Sequence, residues 1–138
     1  MSRKNGAATA AARPIADAHS IWEIVNHLHA WTIAIGKRSR LEAVELEGEA
    51  DWPLVKDNSD DAWQRTLQEW TAAHAELERE VATLSDEQLA AQVPNRPHNV
   101  WFTLHGAVQH ELYHAGQIAI LKKTAACGDA KKRSLTHW

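Results

Sequence analysis

WQRTLQEWTAAHAELEREVATL, residues 63–84, is the stretch from which the fold is read. Trp63, Leu67, Trp70, His74, Leu77, Val81 and Leu84 recur at alternating steps of four and three. Those steps bracket the 3.6-residue helical turn, so one stripe faces inward along a helix packed nearly parallel or antiparallel to its neighbours. The positions between carry charge, as in Glu76-Leu77-Glu78-Arg79-Glu80, and read as a solvated face. An all-α bundle is expected, because nowhere does the chain alternate with the period of two of a half-buried strand.

Working outward, residues 50–58, with Asp51-Trp52-Pro53 and Asp57-Asn58, read as a connecting loop. Before it, Ser20-Ile21-Trp22-Glu23 has the form of a capping box, and Ile21, Ile24, Val25, Leu28, Thr32 and Ile35 form a stripe of helical period. This first long helix is predicted to run to near Gly48. After residue 84, Ser85 and Gln88 open a short helical piece that Pro94 and Pro97 close. A third long helix is predicted from about Asn99 to Lys123. Trp101, Leu104, Val108, Leu112, Ala115 and Ala119 lie on one of its faces and Ala107, Ile118 and Leu121 towards the other, the pattern of a helix inside a bundle. The expected organisation is a flexible N-terminal extension (1–18), a bundle of three long helices and a short one (19–125), and a flexible C-terminal tail (126–138).

At 138 residues the chain is the size of one domain. Its formal net charge of -3 gives no footprint for a phosphate backbone, so no nucleic-acid partner is expected. No apolar run approaches the ~18 residues of a membrane span, and the Ala-rich start lacks the apolar core of a secretory signal, which predicts a cytoplasmic protein with no membrane partner. The single cysteine, Cys127, has no evident activating environment and reads as an incidental thiol.

The chemistry lies in the nine histidines. His110-Glu111-Leu112-Tyr113-His114 puts two imidazoles one helical turn apart, able to reach a single ion. Burying the pair is costly without partners, and either a metal or a hydrogen-bonded arrangement resolves that cost. On the first helix His27 borders the apolar stripe whereas His29 points away, so His27 is the better inward candidate. His74 sits on the seam, where it could donate a hydrogen bond to a ligand, pack as a core residue or serve as a fourth ligand. His19, His98, His105 and His137 fall at helix starts, off the inward face, or in the tail.

The segment Ser20-Ile21-Trp22-Glu23-Ile24-Val25-Asn26-His27-Leu28, with His110-Glu111-Leu112-Tyr113-His114-Ala115-Gly116-Gln117-Ile118 far downstream, resembles the DinB/YfiT-like superfamily. The resemblance covers nearly all of residues 7–123. It implies a four-helix bundle in which His27, His110 and His114 bind a divalent metal, zinc or nickel first, iron or manganese as alternatives. It also implies a small-molecule substrate, since some relatives are transferases or isomerases using low-molecular-weight thiols and others resemble hydrolases. The superfamily usually has a long helix before the His27 helix, where this chain has only Met1 to Ala18. The apolar surface so exposed predicts a homodimer.

The leading functional expectation is a metal-dependent enzyme, a thiol-dependent transferase or a hydrolase, with coordination positions open. Tyr113 and Gln117 are the candidate pocket donors. A non-catalytic metal-binding or stress-related bundle is the alternative, favoured if His74 closes the site. The HExxH metalloprotease pattern is complete at residues 110–114, but Glu111 is rotated by about 100° from His110, and no third ligand follows at protease spacing.

Overall fold

Each helix of more than one turn after residue 20 begins at a side-chain cap, and the sequence announces those at Ser20 and Ser85. In this computed structural model, which describes residues 6–135 and their side chains through residue 124, Ser20 Oγ accepts the Glu23 N–H at 3.1 Å and the Ser20 N–H returns to Glu23 Oε1 at 3.0 Å. Ser59 accepts from the Ala62 N–H, Ser85 and Gln88 close a second capping box, and Asn99 Oδ1 accepts the Phe102 N–H at 2.8 Å. The helices are α1 (Ala7–Ala11), α2 (Ile21–Ser39), α3 (Asp60–Ala82), α4 (Asp86–Ala90) and α5 (Val100–Leu135), with a 3-10 turn at Gly48–Ala50. The all-α expectation holds. Among the described residues no strand forms, and no helix is long and apolar enough to cross a membrane.

Helix α2 is the spine. Helices α3 and α5 each pack along it yet scarcely approach one another. The core gathers Ile21, Trp22, Ile24, Val25 and Leu28 of α2 around Ala62 and Trp63 of α3 and Leu121 of α5. Trp22 lies 5.1 Å from Trp63 and its indole N–H donates to Thr66 Oγ1 at 3.2 Å, so its one polar group is satisfied inside. Between α3 and α5 runs an apolar groove floored by Leu28, with Trp70 and His74 on one wall and Val108, Glu111 and Leu112 on the other. The α3 seam therefore points inward but stays half-buried beyond Trp63.

Four expectations are corrected. The extension 1–18 contains an ordered helix: Ala7 and Ala10 of α1 are buried against α2 and α3, and Asp60 Oδ1 accepts the Ala7 N–H at 3.1 Å. Alanine carries no stripe to read, yet its small side chain lets the backbone approach closely. Next, the outer face of α5 is open, with Trp101, Val108 and Leu112 exposed, Leu112 to 68%; only the Ala107, His110, His114 and Leu121 side meets α2. α5 also runs to Leu135, past Lys123. The backbone of the expected tail is thus helical from residue 126 to Leu135; residues 1–5 and 136–138, His137 among them, lie outside the described residues, as does the Cys127 side chain.

Finally, α2 stops at Ser39, well short of Gly48. The Leu41 N–H bonds to the Arg38 carbonyl at 2.9 Å and the Glu42 N–H to the Lys37 carbonyl at 3.0 Å, the paired bonds of a Schellman stop. Leu41 holds the left-handed position at φ 63° where glycine is usual, which conceals the stop from a sequence reading. Leu41→Gly is expected to raise the unfolding free energy by about 1 kcal/mol, the order of a left-handed penalty relieved. Urea denaturation reads this as a higher midpoint, and an unchanged or lower one contradicts strain at this residue.

Candidate metal centre

The capping box fixes where α2 starts, and seven residues on, His27 faces α5 with 4% of its surface exposed. On α5 the four-residue spacing stacks His110 and His114 one turn apart on the face that meets α2. His27 Nε2 and His114 Nε2 lie 3.0 and 3.1 Å from His110 Nε2. His27, His110 and His114 form a group whose ligand atoms all lie within 4.8 Å of one another. Nitrogens bound tetrahedrally to one ion at 2.0–2.1 Å stand roughly 3.3 Å apart, so the cluster needs only slight opening to fit one. The structure brings together the three imidazoles that the resemblance implied.

Outward hydrogen bonds decide what these rings offer inward. His27 Nδ1 is 2.8 Å from the Asp51 carbonyl oxygen, an acceptor, so it carries the proton and leaves the Nε2 lone pair free. His114 Nδ1 is 2.6 Å from Gln117 Oε1, which fixes the same tautomer. Two lone pairs thus converge on His110 Nε2, which can donate to only one. A cation at the shared point satisfies all three, and this donor set can hold a divalent metal.

The electrostatics agree. Burial first, then the neighbouring His114 and His27, push His110 down to about 4. Burial also lowers His27, against the pull of the Asp51 carbonyl and carboxylate. Both rings are thereby kept neutral at neutral pH.

Several participants lay outside the sequence reading. Asp51 also places Oδ1 3.0 Å from His27 Nδ1, and the same oxygen accepts the Trp31 indole N–H at 2.7 Å. Trp52 stacks on His27 at 3.8 Å and on His19 at 3.7 Å. Their only sequence signal was a Trp between two turn formers. His74 is not a ligand: its Nε2 lies 3.1 Å from Glu111 Oε1 and its Nδ1 3.1 Å from Glu78 Oε1. Glu111 is thereby turned onto His74. Gln117 reaches Tyr113 with its Nε2, 3.3 Å from the phenol oxygen, and both line a cavity at His114 with Trp52 and His19.

A helical bundle with three convergent imidazoles able to hold a divalent ion defines the class of protein. The chain belongs to the DinB superfamily, whose family model matches residues 6–118 and so spans both histidine segments. Comparison with curated proteins gave no match, and comparison with solved structures gave none.

Because His110 is held below its ordinary value in the folded chain, the unfolded chain binds the extra proton first. Stability of the metal-free protein should therefore fall as pH drops from about 6.5 to about 4 and level off in this contribution below that. Urea midpoints of chelator-treated wild type and His110→Asn across this range are expected to differ in slope, the wild type being steeper. Equal slopes would remove His110 as the cause.

Proposed function

We propose that the chain is a metal-dependent enzyme in which one divalent ion, zinc or nickel, sits on Nε2 of His27, His110 and His114. The reaction in this reading is hydrolysis, or transfer involving a low-molecular-weight thiol, on a small molecule in the cytoplasm. The observation that carries it is the tautomer lock on His27 and His114, which presents two lone pairs to one point. A bound ion would supply Lewis-acid activation of a water or thiol. The protein's own part is to keep the imidazoles neutral and aimed, through Asp51 and Gln117, and to wall the site with Trp31 and Trp52.

Support for an open site rather than a closed structural one comes from His74, whose ring nitrogens both face carboxylates, leaving three ligands in the group. A cavity of about 330 Å³ reaches His110 and another of about 500 Å³ reaches His114. Tyr113, at the mouth of the latter, and Gln117 remain the candidate catalytic donors. The protease reading loses its base, since Glu111 is engaged by His74.

Protein purified without chelators or nickel resin is expected to carry one divalent ion per chain, and His114→Ala none; equal metal contents refute the site. In the cobalt-substituted protein, added 2-mercaptoethanol should shift the visible spectrum. A spectrum indifferent to outside ligands supports a closed, non-catalytic ion instead.

The exposed α5 face bearing Trp101, Val108 and Leu112 supports a homodimer as part of this proposal. Light scattering should give about twice the 15.4 kDa chain mass, and Leu112→Glu about one chain. A wild-type monomer removes the dimer without touching the metal site.

A further inference from the structure

The cavity beside His110 contains polar groups that the triad does not use. Leu28, Trp31 and Ile35 of α2 face Phe102 and Ala107 of α5 across it, and Arg38 and Arg96 join its lining. Arg38 is only 5% exposed. Its Nη2 donates to the Val44 carbonyl at 2.8 Å and its guanidinium carbon lies 5.1 Å from the Trp31 ring centroid, but its buried Nε–H has no acceptor. Arg96 repeats the pattern: Nη2 reaches Glu45 Oε2 at 3.1 Å while its Nε–H is buried and unpartnered. Each guanidinium therefore lines the cavity with part of its hydrogen-bonding capacity unused by the protein.

The charges specify which ligand would use it. Burial and then the repulsion of Arg96 lower the Arg38 pKa, and only Glu45 offsets them. At the Arg38–Arg96 end two guanidiniums stand against one carboxylate, Glu45, a local excess of one positive charge that complements a monoanion. Planar guanidinium forks match a carboxylate, and the apolar walls match a hydrocarbon or aromatic body. His98, stacked on Phe102 at 4.2 Å, also lines the cavity. Glu111 lines it too, one residue from His110, and keeps the anionic end away from there. Trp31 touches both sides, since its ring lies 5.3 Å from that of His110.

We infer that this cavity takes a small organic carboxylate, its anionic end on Arg38 and Arg96 and its apolar body laid along Trp31 and Phe102 towards His110. The inference names the substrate class of the proposed metal site and rests on that reading for the ligand's far end; anion capture itself involves no metal ligand.

The test is calorimetric titration with 4-phenylbutanoate and its neutral amide, on protein as purified and after chelation. The acid should bind at least tenfold tighter than the amide. Arg96→Gln should weaken the acid at least tenfold and leave the amide unchanged; it is the informative variant because Arg38→Gln, at a buried site, can fail to fold. Arg38→Lys keeps the charge, loses the fork, and should weaken the acid alone. Equal binding of acid and amide, no acid binding at millimolar concentration, or an unaffected Arg96→Gln overturns the inference. Displacement of the acid by inorganic phosphate at lower concentration than by acetate overturns the carboxylate assignment. If the protein as purified without chelators carries no metal and the tenfold preference is still present, the anion site stands and only the metal reading falls.

Discussion

The hydrogen bond from His27 Nδ1 to the Asp51 carbonyl, 2.8 Å long, fixes which nitrogen of the buried ring faces the cluster. Without it the buried ring could turn its N–H inward, and the three-nitrogen cluster would become an ordinary polar network rather than a set of donors for a cation. The bond depends on the loop between α2 and α3 lying back over α2. Trp52 stacks on the far side of the same ring, Trp31 donates to the Asp51 carboxylate, and Asn26 donates to the Pro53 carbonyl at 3.3 Å. Local loop geometry and ligand chemistry are thus one problem, solved by residues that flank a single proline.

Helix α2 bears two kinds of burden. Its first half supplies the apolar core with α3, and its second half supplies Trp31, Thr32 and Arg38 to a mostly apolar cleft with α5. Because α3 and α5 lean on it from different sides and stay apart, the chain closes fewer apolar surfaces than a full four-helix bundle. The open face of α5 and the groove beside His74 are two views of that geometry. In the groove, His74 faces Glu78 and Glu111, so the polar group on the α3 seam is satisfied by carboxylates from both walls.

What the sequence made legible was what short-range physics controls. Ser20 and Ser85 marked helix starts, since a cap acts within three residues. The His110–His114 pair was legible because spacing alone puts two rings on one face. The end of α2 was not, because the Schellman stop uses Leu41 rather than a glycine, inside a charged run that offered no breaker. Ala7 and Ala10 were missed because small side chains bury without a stripe. The outer face of α5 misled, since apolar content says nothing about whether a partner is present. Asp51, Trp52, Arg38 and Arg96 act across long sequence separations, and in isolation each has the character of a loop or surface residue.

The early stop of α2 has a geometric corollary. Asp51 must travel back twelve helical residues, roughly 18 Å at 1.5 Å per residue, to meet His27, and it has only the span from Leu41 to do so, part of it spent in the Gly48–Ala50 turn. That strand-like run, residues 42–47, therefore works as a ruler. Its length, more than its composition, sets which loop carbonyl arrives opposite the imidazole, so one residue inserted or deleted there would present the wrong carbonyl while leaving every helix intact.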